Sequence, residues 1–191
     1  MIRSPRRLAA LTVAVLALSA CASSVDSADA PAAAPIAATT PSPVGPVAED
    51  PRAPLAADSV VPDVEVVDVA SGLPVSLTRS VASDKPVLLW AWAPHCPSCR
   101  AEAAGLEQFA AANTDRLTVV GLGTQDDLEY AREFVADTGV RTPQMLWDAS
   151  FESWQQLGIT AQPTWILVRG DGTFLGGWVG GLPEQQILDL V

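Results

Sequence analysis

Two cysteines separated by two residues give this chain its clearest chemical signal. Cys96 and Cys99 directly follow residues 86–92, an apolar run with the composition of a buried strand. If the segment from Cys96 to about Ala112 is helical, residues three apart share one face, so the two sulfurs can form a disulfide. The spacing therefore predicts a redox-active pair that exchanges disulfides and thiols.

The two cysteines are expected to have different roles in such an exchange. A thiolate at Cys96 would face the free N–H groups and positive dipole end of the helix. These lower a cysteine pKa from about 8.5 to between about 3.5 and 7.5. Pro97 supports this geometry because proline is favoured at the first helical position. We therefore expect Cys96 to be the attacking sulfur and Cys99 the shielded, resolving thiol.

Other uses of the cysteine pair are a structural disulfide or part of a metal site. Cys21 is the only further cysteine and His95 the only histidine, so these residue types alone cannot complete a four-ligand zinc site. A copper carrier would normally have a longer cysteine spacing and a distant histidine. A thiol peroxidase would need threonine or serine at the position of Ala93, three residues before Cys96. We expect no metal and no cofactor besides the cysteine pair.

Residues 1–20 have the pattern of an export signal. Three arginines precede a thirteen-residue apolar run that ends in small side chains, and this run is shorter than the roughly 20 residues that span a bilayer. Leu18-Ser19-Ala20-Cys21 resembles the lipobox of bacterial lipoproteins, which implies cleavage before Cys21 and a lipid on that cysteine. The protein is then expected on the outer face of the cell membrane, anchored through Cys21. Ordinary cleavage nearby, leaving Cys21 free, is the alternative.

The composition divides the rest of the chain into a tether and a folded domain. Residues 22–58 contain seven prolines and no aromatic residue, so this stretch cannot bury enough apolar surface to fold. We expect residues 21–58 to form the lipidated, disordered tether and residues 59–191 the domain. Without the signal the chain has 8 basic and 22 acidic residues. This balance argues against nucleic acid as a partner.

The order of apolar runs and turns in the domain predicts an α/β sandwich with a mixed sheet. Two short runs split by Ala70-Ser71-Gly72 predict an N-terminal β-hairpin, and Gly170-Asp171-Gly172 predicts the turn of a second hairpin. The expected strands are 64–69, 73–77, 86–92, 117–122, 144–147, 164–168 and 174–179, and the expected helices are 96–112, 126–137, 150–157 and 183–191.

The string DKPVLLWAWAPHCPSCRAE, residues 84–102, resembles the active-site segment of the thioredoxin superfamily. More narrowly, it resembles the exported TlpA, ResA and DsbE-like branch, the redoxins. The most specific features are the Lys-Pro entry, the Trp-Ala-Pro-X-Cys-Pro-X-Cys string and the later Gln162-Pro163-Thr164. The resemblance covers nearly the whole domain. It implies a thioredoxin fold with an N-terminal hairpin, in which Cys96 is the nucleophile and Cys99 the resolving thiol.

The resemblance also implies roles for residues near the cysteines. Pro163 matches the family's cis-proline, which leaves the backbone of Gln162 free to pair with a substrate strand. Glu102 stands where the exported reductases carry a glutamate, and a half-buried carboxylate there would accept and return the proton of Cys99. The alternative for Glu102 is an exposed helix glutamate without chemistry.

Two further residues are expected at the surface that meets a substrate. His95 replaces the aromatic residue of many relatives, and a protonated His95 would stabilise the Cys96 thiolate and make the disulfide more oxidising. A merely exposed histidine is the alternative. Trp92 is expected near the disulfide. We expect Trp90 and Trp92 to point to opposite faces of their strand or to lie near its end.

The predicted function is extracytoplasmic exchange of the Cys96–Cys99 disulfide or dithiol with cysteines of exported proteins. The prediction inclines slightly towards an oxidant, because His95 would favour the thiolate. A reductase for cytochrome c maturation or other exported thiols is the main alternative, and a copper carrier is a weaker one. The expected partners are exported thiol or disulfide proteins and a membrane-embedded protein that recycles the pair.

Overall fold

The computed structural model describes residues 55–191, in which strands and helices alternate along most of the length. The strands are β1 (Glu65–Asp68), β2 (Pro74–Ser76), β3 (Val87–Trp92), β4 (Thr118–Gly123), β5 (Gln144–Trp147), β6 (Thr164–Val168) and β7 (Phe174–Val179). The helices are α1 (Leu77–Val81), α2 (Pro97–Ala112), α3 (Leu128–Thr138), α4 (Glu152–Gln156) and α5 (Glu184–Leu188). The predicted signal, Cys21 and most of the predicted tether lie outside the described residues.

The strands of this region form one mixed sheet in the order β2-β1-β5-β4-β3-β6-β7. Strands β3, β4 and β5 are parallel, whereas β6 and β7 continue the sheet in antiparallel pairs. On the other side, β1 pairs antiparallel with both β2 and β5, so the predicted N-terminal hairpin extends the sheet. The architecture agrees with the predicted thioredoxin fold and its N-terminal hairpin.

Strand β3 lies inside the sheet and is buried on both faces, because all six of its residues are apolar. Alternate residues contribute to two separate cores. Those packed with α2, α3 and α5 are Leu88, Trp90 and Trp92, and those packed with α1 and α4 are Val87, Leu89 and Ala91. The expectation that Trp90 and Trp92 point to opposite faces is wrong, because side chains two residues apart on a strand share a face. Their rings stack with centroids 5.9 Å apart.

The domain includes residues that the sequence assigned to the tether. The N–H of Ala56 donates to the carbonyl of Asp171 at 2.8 Å, and the N–H of Val60 donates to Gly172 at 3.1 Å. Residues 55–58 therefore belong with the turn between β6 and β7, four residues before the expected boundary. No helix within residues 55–191 has the length and apolar composition needed to cross a membrane.

Candidate active site

Four loops meet at one edge of the sheet, and they carry most of the residues that the sequence predicts to take part in catalysis or substrate binding. The parallel register aligns Trp92 of β3 with Gly123 of β4, and Gly123 with Trp147 of β5, so the loops after these strands leave from the same edge. Strand β6 runs the other way and begins with Thr164 opposite Ala91. The segment before Thr164 therefore reaches the same edge.

Cys96 caps the N-terminus of helix α2, as the sequence predicts. Its backbone is extended, and its Sγ accepts a hydrogen bond of 3.1 Å from the N–H of Cys99. Pro97 occupies the first turn of the helix, where proline needs no hydrogen-bond acceptor. A thiolate at this position would be stabilised by that N–H group and by the positive end of the helix dipole.

Cys96 and Cys99 form a disulfide with their Cα atoms 5.3 Å apart. Cys96 is 5% exposed and Cys99 is fully buried. Both sulfur-bearing residues belong to the core that also contains Trp92 and Ala103. Because only Cys96 of the pair reaches the surface at all, a partner would meet Cys96 first.

Trp92 is fully buried, so it does not contribute to the surface that a substrate would touch. Its ring packs 4.6 Å from that of Phe134 and 6.1 Å from that of Trp147, measured between centroids. The structure thus corrects the expectation of a substrate contact at Trp92. The strand composition explains the difference, because an apolar residue at the end of a central strand is covered by the helices on that face.

Pro163 follows a cis peptide bond from Gln162, in agreement with the expectation from the resemblance. The residue is buried, and its carbonyl accepts a hydrogen bond of 2.9 Å from the N–H of Gly180. Gln162 is partly exposed, and its side-chain Nε2 donates to Oε1 of Gln125 at 3.2 Å. Within residues 55–191 the N–H and C=O of Gln162 make no hydrogen bond. Its backbone is open to an incoming strand.

Glu102 lies on the same face of α2 as Cys99, three residues further on. The residue is half-buried, and its Oε2 is shielded from solvent without a hydrogen-bond partner among residues 55–191. Burial raises the pKa of this carboxyl above its usual range. The other oxygen, Oε1, lies beside Gly181 in the loop after β7, where a Cβ atom on that glycine would be 3.5 Å from it. This environment differs from that of a fully exposed helix glutamate and would suit a carboxyl that exchanges protons.

His95 is exposed and faces the loop after β4. Its Nδ1 lies 3.4 Å from Oδ2 of Asp126, and 46% of the side-chain surface is accessible. The predicted role assumed that the imidazole acts on Cys96. The neighbour that the structure gives it is Asp126, 31 residues further along the chain.

The loop from Thr124 to Asp126 was not singled out by the sequence, although it contacts the residue before Cys96 and the residue before Pro163. Gln125 accepts the hydrogen bond from Gln162, and Asp126 faces His95. The N–H of Thr124 also donates to the carbonyl of Trp92 at 3.3 Å. The available signal was the end of a predicted parallel strand next to the cysteine-bearing strand, because such loops share an edge of the sheet.

The part of the chain that the structure describes contains no group of three or more His, Cys, Asp or Glu side chains placed to hold a metal ion. The reactive groups brought together near the cysteine pair are two sulfurs, one half-buried carboxyl and one exposed imidazole.

Residues 55–178 match the family model described as Redoxin, which covers more than half of the chain. The chain belongs to the redoxin family. Redoxin is the family to which the Trp-Ala-Pro-X-Cys-Pro-X-Cys string pointed, and its match covers every strand of the sheet apart from the last residue of β7.

Two curated relatives match about half of the chain. The chain is 39% identical over 89 residues to the soluble secreted antigen MPT53 of Mycobacterium tuberculosis, covering 47% of this chain and 50% of that protein. It is 35% identical over 88 residues to the thiol:disulfide interchange protein DsbE of Escherichia coli, covering 46% of each. The chain thus spans about half the length of these curated relatives.

A solved structure gives a longer match. It is that of a secreted Mycobacterium tuberculosis disulfide oxidoreductase homologous to E. coli DsbE, with 31% identity and a TM-score of 0.54. The match covers 65% of this chain and 91% of that protein. The likeness therefore extends over the folded domain and includes the thioredoxin-like arrangement of the sheet.

Proposed function

We propose that this redoxin is an extracytoplasmic thiol–disulfide oxidoreductase that acts on cysteines of exported proteins through Cys96 and Cys99. The observation that carries the proposal is the position of Cys96 at the N-cap of α2, where its Sγ accepts the Cys99 N–H bond. This bond and the helix dipole would stabilise the Cys96 thiolate, which is the leaving and attacking species in exchange. The relatives described as thiol:disulfide interchange proteins support the same chemistry.

In the oxidising direction, a substrate thiolate attacks Sγ of Cys96, and the Cys96–Cys99 bond breaks as a substrate–Cys96 disulfide forms. Cys99 leaves and takes up a proton, for which the Glu102 carboxyl is the proposed donor. A second substrate thiolate then attacks the substrate sulfur and releases Cys96. Cys96 leaves as its stabilised thiolate, and the substrate loses two electrons to the cysteine pair and gains a disulfide. The substrate thiols release their two protons to solvent, and solvent returns one of them to Glu102, which has protonated Cys99. Reduction of a substrate disulfide runs the same steps backwards.

The open backbone of Gln162 is the proposed docking site for the substrate chain. Its N–H and C=O can form backbone hydrogen bonds with an extended segment that carries the reacting cysteine, as when a peptide binds as an additional β-strand. Gln162 precedes Pro163 at the edge of the sheet from which the Cys96 loop also leaves. Paired in this way, the substrate segment would run alongside Cys96.

The oxidising direction is the proposed one, because stabilising the Cys96 thiolate stabilises the reduced form and raises the reduction potential. The half-buried Glu102 can transfer a proton in either direction of the exchange. The alternative function is therefore that of a reductase of exported thiols. Export by residues 1–20 and a lipid anchor at Cys21 are part of the proposal, and both lie outside the described residues. The relative MPT53 is a secreted antigen, which supports export. We also propose a membrane-embedded partner that recycles the cysteine pair, because the lipid anchor would hold the protein at the membrane.

The test is the redox equilibrium of the purified protein with reduced and oxidised glutathione, followed by tryptophan fluorescence. A cysteine pair that does not exchange with glutathione, or a fluorescence change that persists in Cys96→Ser, contradicts the proposal. A potential near or above about −180 mV supports the oxidising direction, and one near or below about −270 mV shows a reductase instead.

A further inference from the structure

A cleft of about 530 Å³ opens between the loops after β4 and β5, and neither the sequence motifs nor the exchange chemistry accounts for it. One wall comes from the loop after β4 and the other from the loop after β5. The lining residues are Thr124, Gln125, Asp126, Ala149 and Phe151. Since both loops leave the edge of the sheet that carries Cys96, the cleft lies where a bound substrate would extend.

The loop after β4, which forms the first wall, contacts the residue before Cys96 and the residue before Pro163. Asp126 faces His95, the residue before Cys96, with 3.4 Å between Oδ2 and Nδ1. Gln125 accepts the hydrogen bond from the side chain of Gln162, the residue whose backbone is open to a substrate. A polypeptide that pairs with Gln162 and presents its cysteine to Cys96 therefore passes along this wall.

The cleft has a fixed shape. Among residues 55–191 only two residues other than glycine have a positive φ, Gln125 at 73° and Phe151 at 65°, and both line the cleft. A left-handed backbone is unfavourable for such residues and persists where the surroundings hold it. The two walls are also joined to each other, because Oγ1 of Thr124 donates to the carbonyl of Asp148 at 2.6 Å.

The residues that line the cleft favour one kind of bound side chain. Ala149 and Phe151 supply apolar surface, and Asp126 supplies a carboxylate that is one-third exposed. No lining residue is basic. A long aliphatic stem that ends in a cation matches this combination, because lysine and arginine bury their stems against apolar surface and keep the charge at a polar edge.

We propose that this cleft binds a lysine or arginine side chain of the substrate, close in sequence to its reacting cysteine, with Asp126 as the residue that determines this preference. The inference rests on the proposed exchange function and adds a substrate class to it. Asp126 would form an ion pair with the lysine or arginine of the substrate at the rim of the cleft. A charge at the rim acts mainly on the rate at which substrate and protein associate.

The test uses the reduced, full-length protein and short peptides whose single cysteine is activated as a mixed disulfide with thionitrobenzoate. Attack by the Cys96 thiolate joins the peptide to Cys96 and releases the coloured thionitrobenzoate, so absorbance gives the rate of this first step. One lysine is placed at each of the four positions within two residues of the cysteine, and each peptide is compared with its glutamine counterpart. Rates with 2-mercaptoethanol correct for the intrinsic reactivity of each peptide.

We expect the corrected rate to favour lysine over glutamine about two- to fivefold at one or two of the positions, at low ionic strength. Asp126→Asn should abolish this preference while the glutamine peptides still react. The matched control is Glu133→Gln, which removes one exposed carboxylate from α3 and leaves the cleft intact. Because the whole chain has a net charge of −11, general attraction of cations would survive in Asp126→Asn and would show no dependence on position.

Equal corrected rates at all four positions, or a preference that Asp126→Asn leaves unchanged, would overturn the inference and leave the exchange function intact. Release of no thionitrobenzoate from any peptide would instead contradict the proposed function itself. Loss of the preference in both Asp126→Asn and Glu133→Gln would assign it to the charge of the whole protein and not to the cleft.

Discussion

The carboxylate of Glu102 lies one helical turn beyond Cys99, and its buried Oε2 has no hydrogen-bond partner among residues 55–191. Burial raises the pKa of the carboxyl, so the protonated form persists to a higher pH than in an exposed glutamate. The raised pKa makes this carboxyl a stronger proton acceptor than an exposed glutamate. The arrangement places the buried sulfur of Cys99 and the titratable side chain of Glu102 on one face of the helix.

Glu102→Gln should slow exchange at pH 7 by about tenfold or more, because it removes the group that passes a proton to and from Cys99. The replacement keeps the size of the side chain, so the disulfide should still form. Stopped-flow tryptophan fluorescence with a dithiol substrate, over a pH range that begins below the usual carboxyl pKa and ends near pH 9, measures the effect. The wild-type profile should contain a carboxyl inflection that the variant lacks. A wild-type profile and rate in Glu102→Gln would show that Glu102 takes no part in proton transfer.

Cys96 in the reduced protein should react with iodoacetamide well before Cys99. Cys96 is 5% exposed and accepts an N–H bond at the helix end, whereas Cys99 is fully buried. Mass spectrometry of peptides after timed alkylation gives both rates. The pH midpoint for Cys96 should lie below the value of about 8.5 for a free cysteine. Equal rates, or a midpoint at or above that value, would contradict the thiolate stabilisation on which the proposed function rests.

The sequence predicts the elements of the sheet well, because its strands are short apolar runs bounded by turns. Strands β5, β6 and β7 have the predicted bounds, and the cysteine helix begins where Pro97 predicts. Helix α1 was missed, because its first residue, Leu77, was assigned to the preceding strand and the other four were assigned to no element. The spacing of Leu77 and Val81, both buried and four residues apart, was the signal for it.

Contacts between loops could not be predicted from the sequence in the same way. His95 and Asp126 are 31 residues apart, and Gln125 and Gln162 are 37 apart. Both pairs depend on the register of β3 with β4 and β6, which local patterns do not determine. The burial of Trp92 has a similar origin, because it results from helix packing over the end of β3. These are the places where the predicted site and the observed one differ.

His95→Ala should change the redox equilibrium constant with glutathione by less than about threefold, which corresponds to about 14 mV. The reason is that Asp126 faces the imidazole and nearly half of the side chain is solvent-exposed, so a positive charge there is partnered and screened. The measurement is the glutathione titration used for the wild type. A decrease in the potential of about 30 mV or more, a tenfold change, would restore the expected role of His95 in stabilising the Cys96 thiolate.

Asp148→Asn should destabilise the domain by about 2 to 4 kcal/mol at pH 7, because an amide NH₂ would replace an oxygen that only accepts hydrogen bonds. The Asp148 side chain is almost fully buried and accepts bonds from the N–H and hydroxyl groups of Ser150 and Ser153. Burial alone would raise the pKa of this carboxyl, but those bonds outweigh it and hold the pKa below the usual range.

The same hydrogen bonds determine how the difference in stability between wild type and Asp148→Asn changes with pH. A lowered carboxyl pKa contributes stability that is complete above the unfolded-state value of about 3.9 and is lost as pH falls through the folded-state value. Urea unfolding should therefore show a large gap between wild type and Asp148→Asn at pH 7 and a smaller one near pH 3. Glu133→Gln is the control and should stay within about 0.5 kcal/mol of wild type. A gap that is constant with pH would mean that the ionised form of Asp148 is not what stabilises the segment between β5 and α4.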